Sequence, residues 1–223
     1  MAACCPDASE DAHSRDRDRV RMTAIAPSMA ASERSAGTTD ADLRAALLSQ
    51  LARARRQQYI VEEMGIAGEA RVDVALIGDH LHGFEIKSER DSLRRLPTQV
   101  EVYSRVFDYV TLVVDTRHLD GARRIIPDWW GVTEARTTRS GMRLVRRSQA
   151  RRNRTLDPWY LTSLLWRDEA LEVLALLGSD RGMRSKNGTQ LRRALVEQAS
   201  TNALRDAVRS RLQLRRDWRP AAQ

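Results

Sequence analysis

Two acidic residues and a lysine occur at a spacing that could place them together at a metal ion. Asp73 lies in the run RVDVALI, and Glu85 and Lys87 lie in the run GFEIK. If both runs are β-strands, alternate side chains share a face, so Glu85 and Lys87 project together. A three-residue hairpin loop at 78–80 would place Asp73 directly opposite Glu85, whereas a two-residue loop would put the carboxylates on opposite faces.

A divalent cation would stabilise this arrangement and give it a chemical role. Opposed residues have Cβ atoms about 5 Å apart, so the carboxylates of Asp73 and Glu85 repel unless a cation lies between them. Mg²⁺ or Mn²⁺ could bind both carboxylates, the backbone carbonyl of Ile86 and waters. The ion would lower the pKa of a bound water, and Lys87 could orient or deprotonate that water for attack on a phosphate. The alternative is a hairpin whose exposed face carries an ordinary Glu–Lys pair.

The usage of cysteine, histidine and lysine narrows the choice of metal and of catalytic group. The cysteines, Cys4 and Cys5, and the four histidines offer no zinc-ligand spacing, so oxygen ligands and Mg²⁺ or Mn²⁺ are favoured. Of the 38 basic residues only Lys87 and Lys186 are lysines. A lysine at position 87 therefore indicates a role that a guanidinium cannot fill, such as that of a compact or deprotonatable amine.

The charge of the chain favours a polyanionic partner. The formal net charge is +8 and the isoelectric point about 10.4, and the arginines are concentrated after residue 138. Basic surfaces attract nucleic acid, although a solvated arginine-rich face gives the same composition. The sequence contains neither an apolar run of about 18 residues nor a signal-peptide core, so we expect no membrane segment and a cytoplasmic location.

The hydrophobic pattern predicts an α/β fold. A helix should begin near Thr39 and Asp40, where an Asp can cap it, and a second helix should begin at Pro97. Alternating or wholly apolar runs predict strands over residues 59–64, 72–77, 81–88 and 109–114. We also expect a helical turn over 91–96, a short helix over 118–126 and an edge strand ending near 135. The order of the core is thus helix, three-stranded meander, helix, strand.

Composition divides the chain into four regions. Residues 1–38 lack periodicity and are expected to be disordered, and residues 39–137 hold the α/β core. Residues 138–155 have the composition of a basic linker, and residues 156–219 carry leucines at helical spacing. The segment before Arg192 and Arg193 could be the turn of a helix-turn-helix, although docking of these helices to the core or to a partner would give the same pattern.

The spacing of Asp73 and Glu85-Ile86-Lys87 resembles the active-site pattern of the PD-(D/E)XK nuclease superfamily. Asp73 matches the first acidic residue, and Val72 stands where the proline of the pattern is expected. The resemblance implies a restriction-endonuclease-like core with a helical C-terminal extension and metal-dependent hydrolysis of phosphodiester bonds. Residues 40–135, which include the motif PDWWG near their end, also resemble a bacterial and phage-associated family. That family is placed in the same superfamily by similarity, and the resemblance implies no particular substrate.

Two further features extend the resemblance. Gln99 and Tyr103 are four residues apart on a predicted helix and share a face. They resemble the QxxxY motif of RecB-type nucleases, where the pair supports the active site and contacts nucleic acid; the alternative is a core tyrosine and a surface glutamine. An upstream acid often completes such sites, and either Glu62 or Glu63 could join here. We favour Glu63, which lies nearer the end of its strand.

Together these features predict a Mg²⁺- or Mn²⁺-dependent nuclease that acts on DNA. Asp73 and Glu85 would bind the metal, and Lys87 would control the water. RNA is a weaker candidate for the substrate. The rival hypothesis is a catalytically silent protein of the nuclease fold, acting as a DNA-binding or regulatory subunit. The C-terminal helices could also mediate a homodimer or bind a protein partner.

Overall fold

The chain folds around a six-stranded mixed β-sheet that carries helices on both faces. The structure, a computed structural model, describes residues 37–53, 58–139 and 141–215. The predicted α/β class is confirmed. In these three ranges no helix is both long enough and apolar enough to cross a membrane.

The strands lie in the sheet in the same order as in the chain. Their bounds are β1 Tyr59–Ile66, β2 Ala70–Ile77, β3 Leu81–Lys87, β4 Tyr109–Asp115, β5 Gly131–Thr138 and β6 Gly141–Ser148. The first three form an antiparallel meander, and β3, β4 and β5 are mutually parallel. Finally, β6 returns antiparallel beside β5.

The described residues form seven α-helices. Their bounds are α1 Asp40–Ala52, α2 Leu96–Ser104, α3 Leu119–Arg123, α4 Pro158–Thr162, α5 Arg167–Leu176, α6 Gly188–Gln198 and α7 Thr201–Leu214. The helix α1 precedes the meander, and α2 connects β3 to the parallel strand β4. The predicted order of helix, three-stranded meander, helix and strand is therefore observed.

The β2–β3 hairpin has the register that the sequence predicts. Val74 lies opposite Phe84, and the following pairs keep the same register as far as the loop at 78–80. The three-residue loop is thus confirmed. Since side chains alternate along a strand, this register puts Asp73 on the same face of the sheet as Glu85.

Two apolar clusters hold the helices against the sheet. On one face α1 buries Leu43 and Leu47 against β2, β3 and β4. On the other face α2 and the C-terminal helices share a larger cluster; its largest fully buried side chains include Tyr103, Phe107, Trp130, Leu161, Leu174 and Leu191. Burial of one such leucine stabilises the fold by about 1.5–3 kcal/mol. The C-terminal helices therefore belong to the same core as the sheet.

The N-terminal boundary of the fold differs slightly from the prediction. Thr39, rather than Asp40, caps α1: its hydroxyl accepts a hydrogen bond from the Asp42 N–H, and the Asp42 carboxylate accepts one from the Thr39 N–H. Thr38 is buried and donates to the Asp115 carboxylate at 2.7 Å. Residues 37 and 38 are thus part of the fold, and the rest of the segment predicted to be disordered, 1–36, lies outside the described residues.

The stretch predicted as a basic linker contains an edge strand. Met142 and Leu144 of β6 pack against the cluster under α1, while the arginines of this strand face solvent. Charged side chains suit a sheet edge because they discourage further pairing. The core therefore extends to Ser148 rather than 137, and β5, predicted as an edge, lies inside the sheet.

Two local predictions are also wrong. The helical turn expected over 91–96 is an irregular turn before α2, because the Asp91 carboxylate accepts hydrogen bonds from the Ser88 N–H and hydroxyl. The connection from α5 to α6 spans 177–187, far longer than the turn of about 3–4 residues in a helix-turn-helix. These two helices therefore do not form that motif.

Candidate functional site

The β2–β3 ladder opens at the position where Asp73 and Glu85 face each other. Backbone pairing ends at Val74 and Phe84. Beyond it, Asp73 Oδ2 accepts a hydrogen bond from the Ile86 backbone N–H at 2.7 Å. Asp73 and Glu85 line one cavity of about 950 Å³. The structure thus brings the two predicted carboxylates together at the end of the hairpin.

Glu85 and Lys87 form a buried ion pair on β3. Lys87 Nζ donates to Glu85 Oε1 at 2.5 Å, and the two side chains are only 1% and 3% exposed. Removing two charges from water costs free energy that their attraction offsets only in part. A buried pair of this kind beside a cavity is therefore more typical of a functional site than of a device for stability.

Gln99 and Tyr103 of α2 both support Glu85. The Tyr103 hydroxyl lies 2.8 Å from Glu85 Oε2, and the Gln99 side chain lies close enough to Glu85 to favour its charged form and so oppose the rise of its pKa. Tyr103 is fully buried, whereas Gln99 lines the cavity. Of the pair predicted to support substrate, only Gln99 lines the cavity, whereas Tyr103 contacts Glu85 from the buried side.

The Tyr103 hydroxyl is shared between two oxygen acceptors. It lies 2.7 Å from the Arg71 carbonyl oxygen and 2.8 Å from the Glu85 carboxylate. One hydroxyl proton can be donated fully to only one of these acceptors at a time, so the support that Tyr103 gives Glu85 is shared with the backbone. Burial raises the pKa of Glu85, whereas the Lys87 charge and the Tyr103 hydroxyl oppose this change.

Asp73 also has a perturbed affinity for protons. Burial and then the charge of Glu85 raise its pKa from 3.8 to about 7, against the opposing effects of the Ile86 N–H and of Arg44. Two neighbouring carboxyl groups whose pKa values are both raised form a site at which an additional positive charge is favourable. Burial is the main cause of both shifts, and a cation bound between the carboxylates would oppose them.

Glu63 has a strained backbone within β1. Its φ of 57° lies in the left-handed region that residues with a side chain rarely adopt. Such a conformation costs about 1–3 kcal/mol and is common at functional sites. Its carboxylate contacts Arg44 at 2.9 Å and Arg71 at 2.6 Å and lines the cavity, whereas Glu62 does not line it. Of the two upstream acids, Glu63 is the one near the carboxylate pair.

Arg44 of α1 is a site residue that the sequence analysis missed. Its guanidinium donates to the Asp73 carbonyl oxygen at 2.9 Å and to Asp73 Oδ1 at 3.3 Å, and it pairs with Asp40 and Glu63. It therefore fixes the backbone and side chain of Asp73 together. No local sequence pattern indicates this role, because Arg44 and Asp73 are 29 positions apart in the chain.

The C-terminal region also contributes to the cavity, which the division into regions did not predict. Ser163, just after α4, and Arg192 of α6 also line it. The remaining wall includes Arg95 and Thr98 next to Gln99 at the start of α2. The cavity is thus lined by acidic residues together with several arginines.

The donor atoms fit a hard divalent cation. In the part of the chain that the structure describes, no three His, Cys, Asp or Glu side chains form a complete metal site. Two carboxylates are nevertheless sufficient protein ligands for Mg²⁺, which retains several waters, and the Ile86 carbonyl could join them. Beside them the buried Gln99 Oε1 has no hydrogen-bond partner among the described residues. Together with the raised pKa of Asp73, this oxygen indicates room for positive charge.

Fold and site define an α/β protein with a buried acid–lysine cluster in an arginine-lined cavity. The chain belongs to the family described as Bacteriophage P4 protein cII, whose profile matches residues 34–219. Protein cII of Enterobacteria phage P4 is 28% identical over 120 residues, which cover 53% of this chain and 46% of that protein. The chain therefore matches about half the length of this relative. Among solved structures, the SPO1766 protein of unknown function from Silicibacter pomeroyi is 20% identical, with a TM-score of 0.38 over 67% of this chain and 98% of that one.

Proposed function

We propose that this protein is a nuclease that uses Mg²⁺ or Mn²⁺ to hydrolyse phosphodiester bonds in DNA. The observation that carries the proposal is the convergence of Asp73, Glu85 and Lys87 on one cavity. These positions resemble the PD-(D/E)XK pattern, and the order of the core elements is compatible with a restriction-endonuclease-like fold. The support of Glu85 by Gln99 and Tyr103 is in keeping with the QxxxY resemblance.

The cluster would bind the cation and control the attacking water through separate groups. Asp73, Glu85 and the Ile86 carbonyl would hold the cation, which when bound stabilises negative charge on a phosphate oxygen and makes water more acidic. Glu85 Oε1 anchors the Lys87 amine at the cavity. From there Lys87 can donate a hydrogen bond that orients the water or, once deprotonated, can accept its proton.

DNA is the substrate that the composition and the resemblance support best. The chain has a net charge of +8, and four arginines line the cavity: Arg44, Arg71, Arg95 and Arg192. Phosphate groups account for most of the affinity of such surfaces, so charge alone does not distinguish DNA from RNA. RNA therefore remains the alternative polymer in the tests below.

One observation favours the rival function, a silent DNA-binding or regulatory protein of the nuclease fold. Both oxygens of Glu85 already have partners, in Lys87 and Tyr103, and Asp73 is bound to Arg44 and Ile86. A cation must share or displace these contacts. Binding of DNA without cleavage at any divalent cation concentration would favour the silent protein.

A cleavage assay tests the proposal directly. Linear, nicked, branched and single-stranded DNA, together with RNA, would be incubated with Mg²⁺, with Mn²⁺ or with EDTA. We expect cleavage of DNA only with a divalent cation. Asp73→Asn, Glu85→Gln and Lys87→Ala should each lower the rate by about 10²-fold or more, because each removes a group that acts on the reacting atoms or the cation.

A matched control separates the site from a general effect of charge. Glu101 lies on α2 like Gln99, but its exposed side chain pairs with Arg105 away from the cavity. Glu101→Gln should therefore cleave at the parental rate. Full activity of Lys87→Ala would show that the amine has no part in catalysis, and cleavage in EDTA would contradict metal dependence.

A further inference from the structure

Arg192, a half-buried residue of the cavity wall, differs from Arg44 and Lys87 in the way it is held. Its guanidinium carbon lies 5.0 Å from the centre of the Trp159 ring, so it stacks on an aromatic face rather than on a carboxylate. The helix α6 that carries it is fixed by a capping box at Asn187 and by Leu191 and Leu195 in the core. The point on α6 from which Arg192 enters the wall is therefore fixed by the fold.

No internal counter-charge accompanies Arg192. Among the residues that the structure describes, no carboxylate lies within 4 Å of its guanidinium, whereas Arg44 and Arg71 both pair with Glu63. Burial lowers the pKa of Arg192, which shows that the group has lost part of its hydration. A partly desolvated cation without a partner is unfavourable unless a ligand supplies negative charge.

We propose that Arg192 binds a backbone phosphate of a polynucleotide. A neighbouring phosphodiester bond of the same strand would then lie at Asp73 and Glu85. A guanidinium stacked through its face keeps its N–H edge free for two hydrogen bonds to phosphate oxygens. Arg192 lines the same cavity as both carboxylates, so one strand can contact all three. The identity of the ligand as a nucleic acid rests on the proposed function, whereas the need for an anion comes from Arg192 itself.

The salt dependence of binding tests this role without any cleavage. Each phosphate contact that is lost lowers the slope of log K against log [salt] by about 0.9 for duplex DNA and by about 0.7 for single strands. Binding of labelled DNA would be measured in EDTA between about 50 and 200 mM salt. Arg192→Gln is compared with Arg193→Gln, which removes the same charge from the next, exposed residue of α6 outside the cavity.

We expect Arg192→Gln to lower the slope of log K against log [salt] by the amount that corresponds to about one phosphate contact. It should also weaken binding roughly tenfold at 0.1 M salt. Arg193→Gln should change both by less than half as much. Arg192→Lys, which keeps the charge but loses the planar fork, should retain the slope while binding more weakly than the parent. Melting temperatures of the three variants would confirm that each is folded.

The outcomes separate this proposal from the proposed function. Equal slopes for the parent and a folded Arg192→Gln, or equal losses in both glutamine variants, would overturn the role of Arg192 even if the protein cleaves DNA. The expected loss in Arg192→Gln alone would support it even if no cleavage occurs. Failure of the parent to bind any polynucleotide would overturn both.

Discussion

Burial and the neighbouring charge of Glu85 determine the protonation of Asp73. Its pKa of about 7 in the fold, against 3.8 for an ordinary aspartate, means that the folded protein binds this proton more tightly than the unfolded chain. The resulting stability is fully present below pH 3.8 and is lost as the pH rises through about 7. In EDTA, we expect the free energy of unfolding in urea to decline over this range and Asp73→Asn to lack that part of the decline.

An exposed aspartate provides the control for this pH dependence. Asp79 lies in the loop between β2 and β3 and is exposed. Asp79→Asn should show the parental curve, because this side chain is exposed to solvent and lies outside the cavity. Identical curves for the parent and Asp73→Asn would mean that Asp73 does not sit in a buried, repulsive environment.

The residues that could be predicted from sequence are those related by a short-range period. Strand alternation places Glu85 with Lys87, and helical spacing places Gln99 with Tyr103. The predicted hairpin register also places Asp73 opposite Glu85, because the length of the loop fixes that register. Arg44 and Arg192 could not be found in this way, since they reach the site from α1 and α6 through contacts between elements that lie far apart in the sequence.

At the scale of elements, the segment after β6 is held by one buried side chain. Asn153 Nδ2 donates to the carbonyl oxygens of Ser104 and Phe107 at 2.6 and 3.0 Å, and its Oδ1 accepts from Thr155. Asn153→Ala would leave buried carbonyls unsatisfied at about 1–3 kcal/mol each. We expect a loss of at least about 2 kcal/mol in urea unfolding, against little change for the exposed Asn202→Ala.

A loss below about 0.5 kcal/mol would mean that this segment is not anchored as described.

The way in which this segment is anchored explains why its amino-acid composition predicts a flexible linker. An arginine-rich edge strand has few apolar residues, and the Asn153 Nδ2 group that anchors the segment donates to backbone groups that are distant in the sequence. Neither feature leaves a periodic signal, so β6 and the segment after it could not be separated from a flexible basic stretch by sequence alone.

At the scale of the whole molecule, the C-terminal helices complete the cavity as well as the core. Leu191, Leu195, Leu204, Val208 and Leu212 are all fully buried. The apolar faces of α6 and α7 are therefore used within the chain. A homodimer or a protein partner at this region stays a prediction, and it would have to use residues such as Trp166, Leu176 and Leu214, whose side chains remain exposed.

The central claim is that Asp73 and Glu85 share one divalent cation, and a calorimetric titration with Mn²⁺ tests it most directly. We predict one ion per chain, bound more tightly at about pH 8 than at about pH 6, because binding must displace a proton from Asp73, whose pKa is raised to about 7. Glu85→Gln should abolish binding, and Glu101→Gln should not. Parental affinity in Glu85→Gln, or no binding by the parent at either pH, would contradict the account.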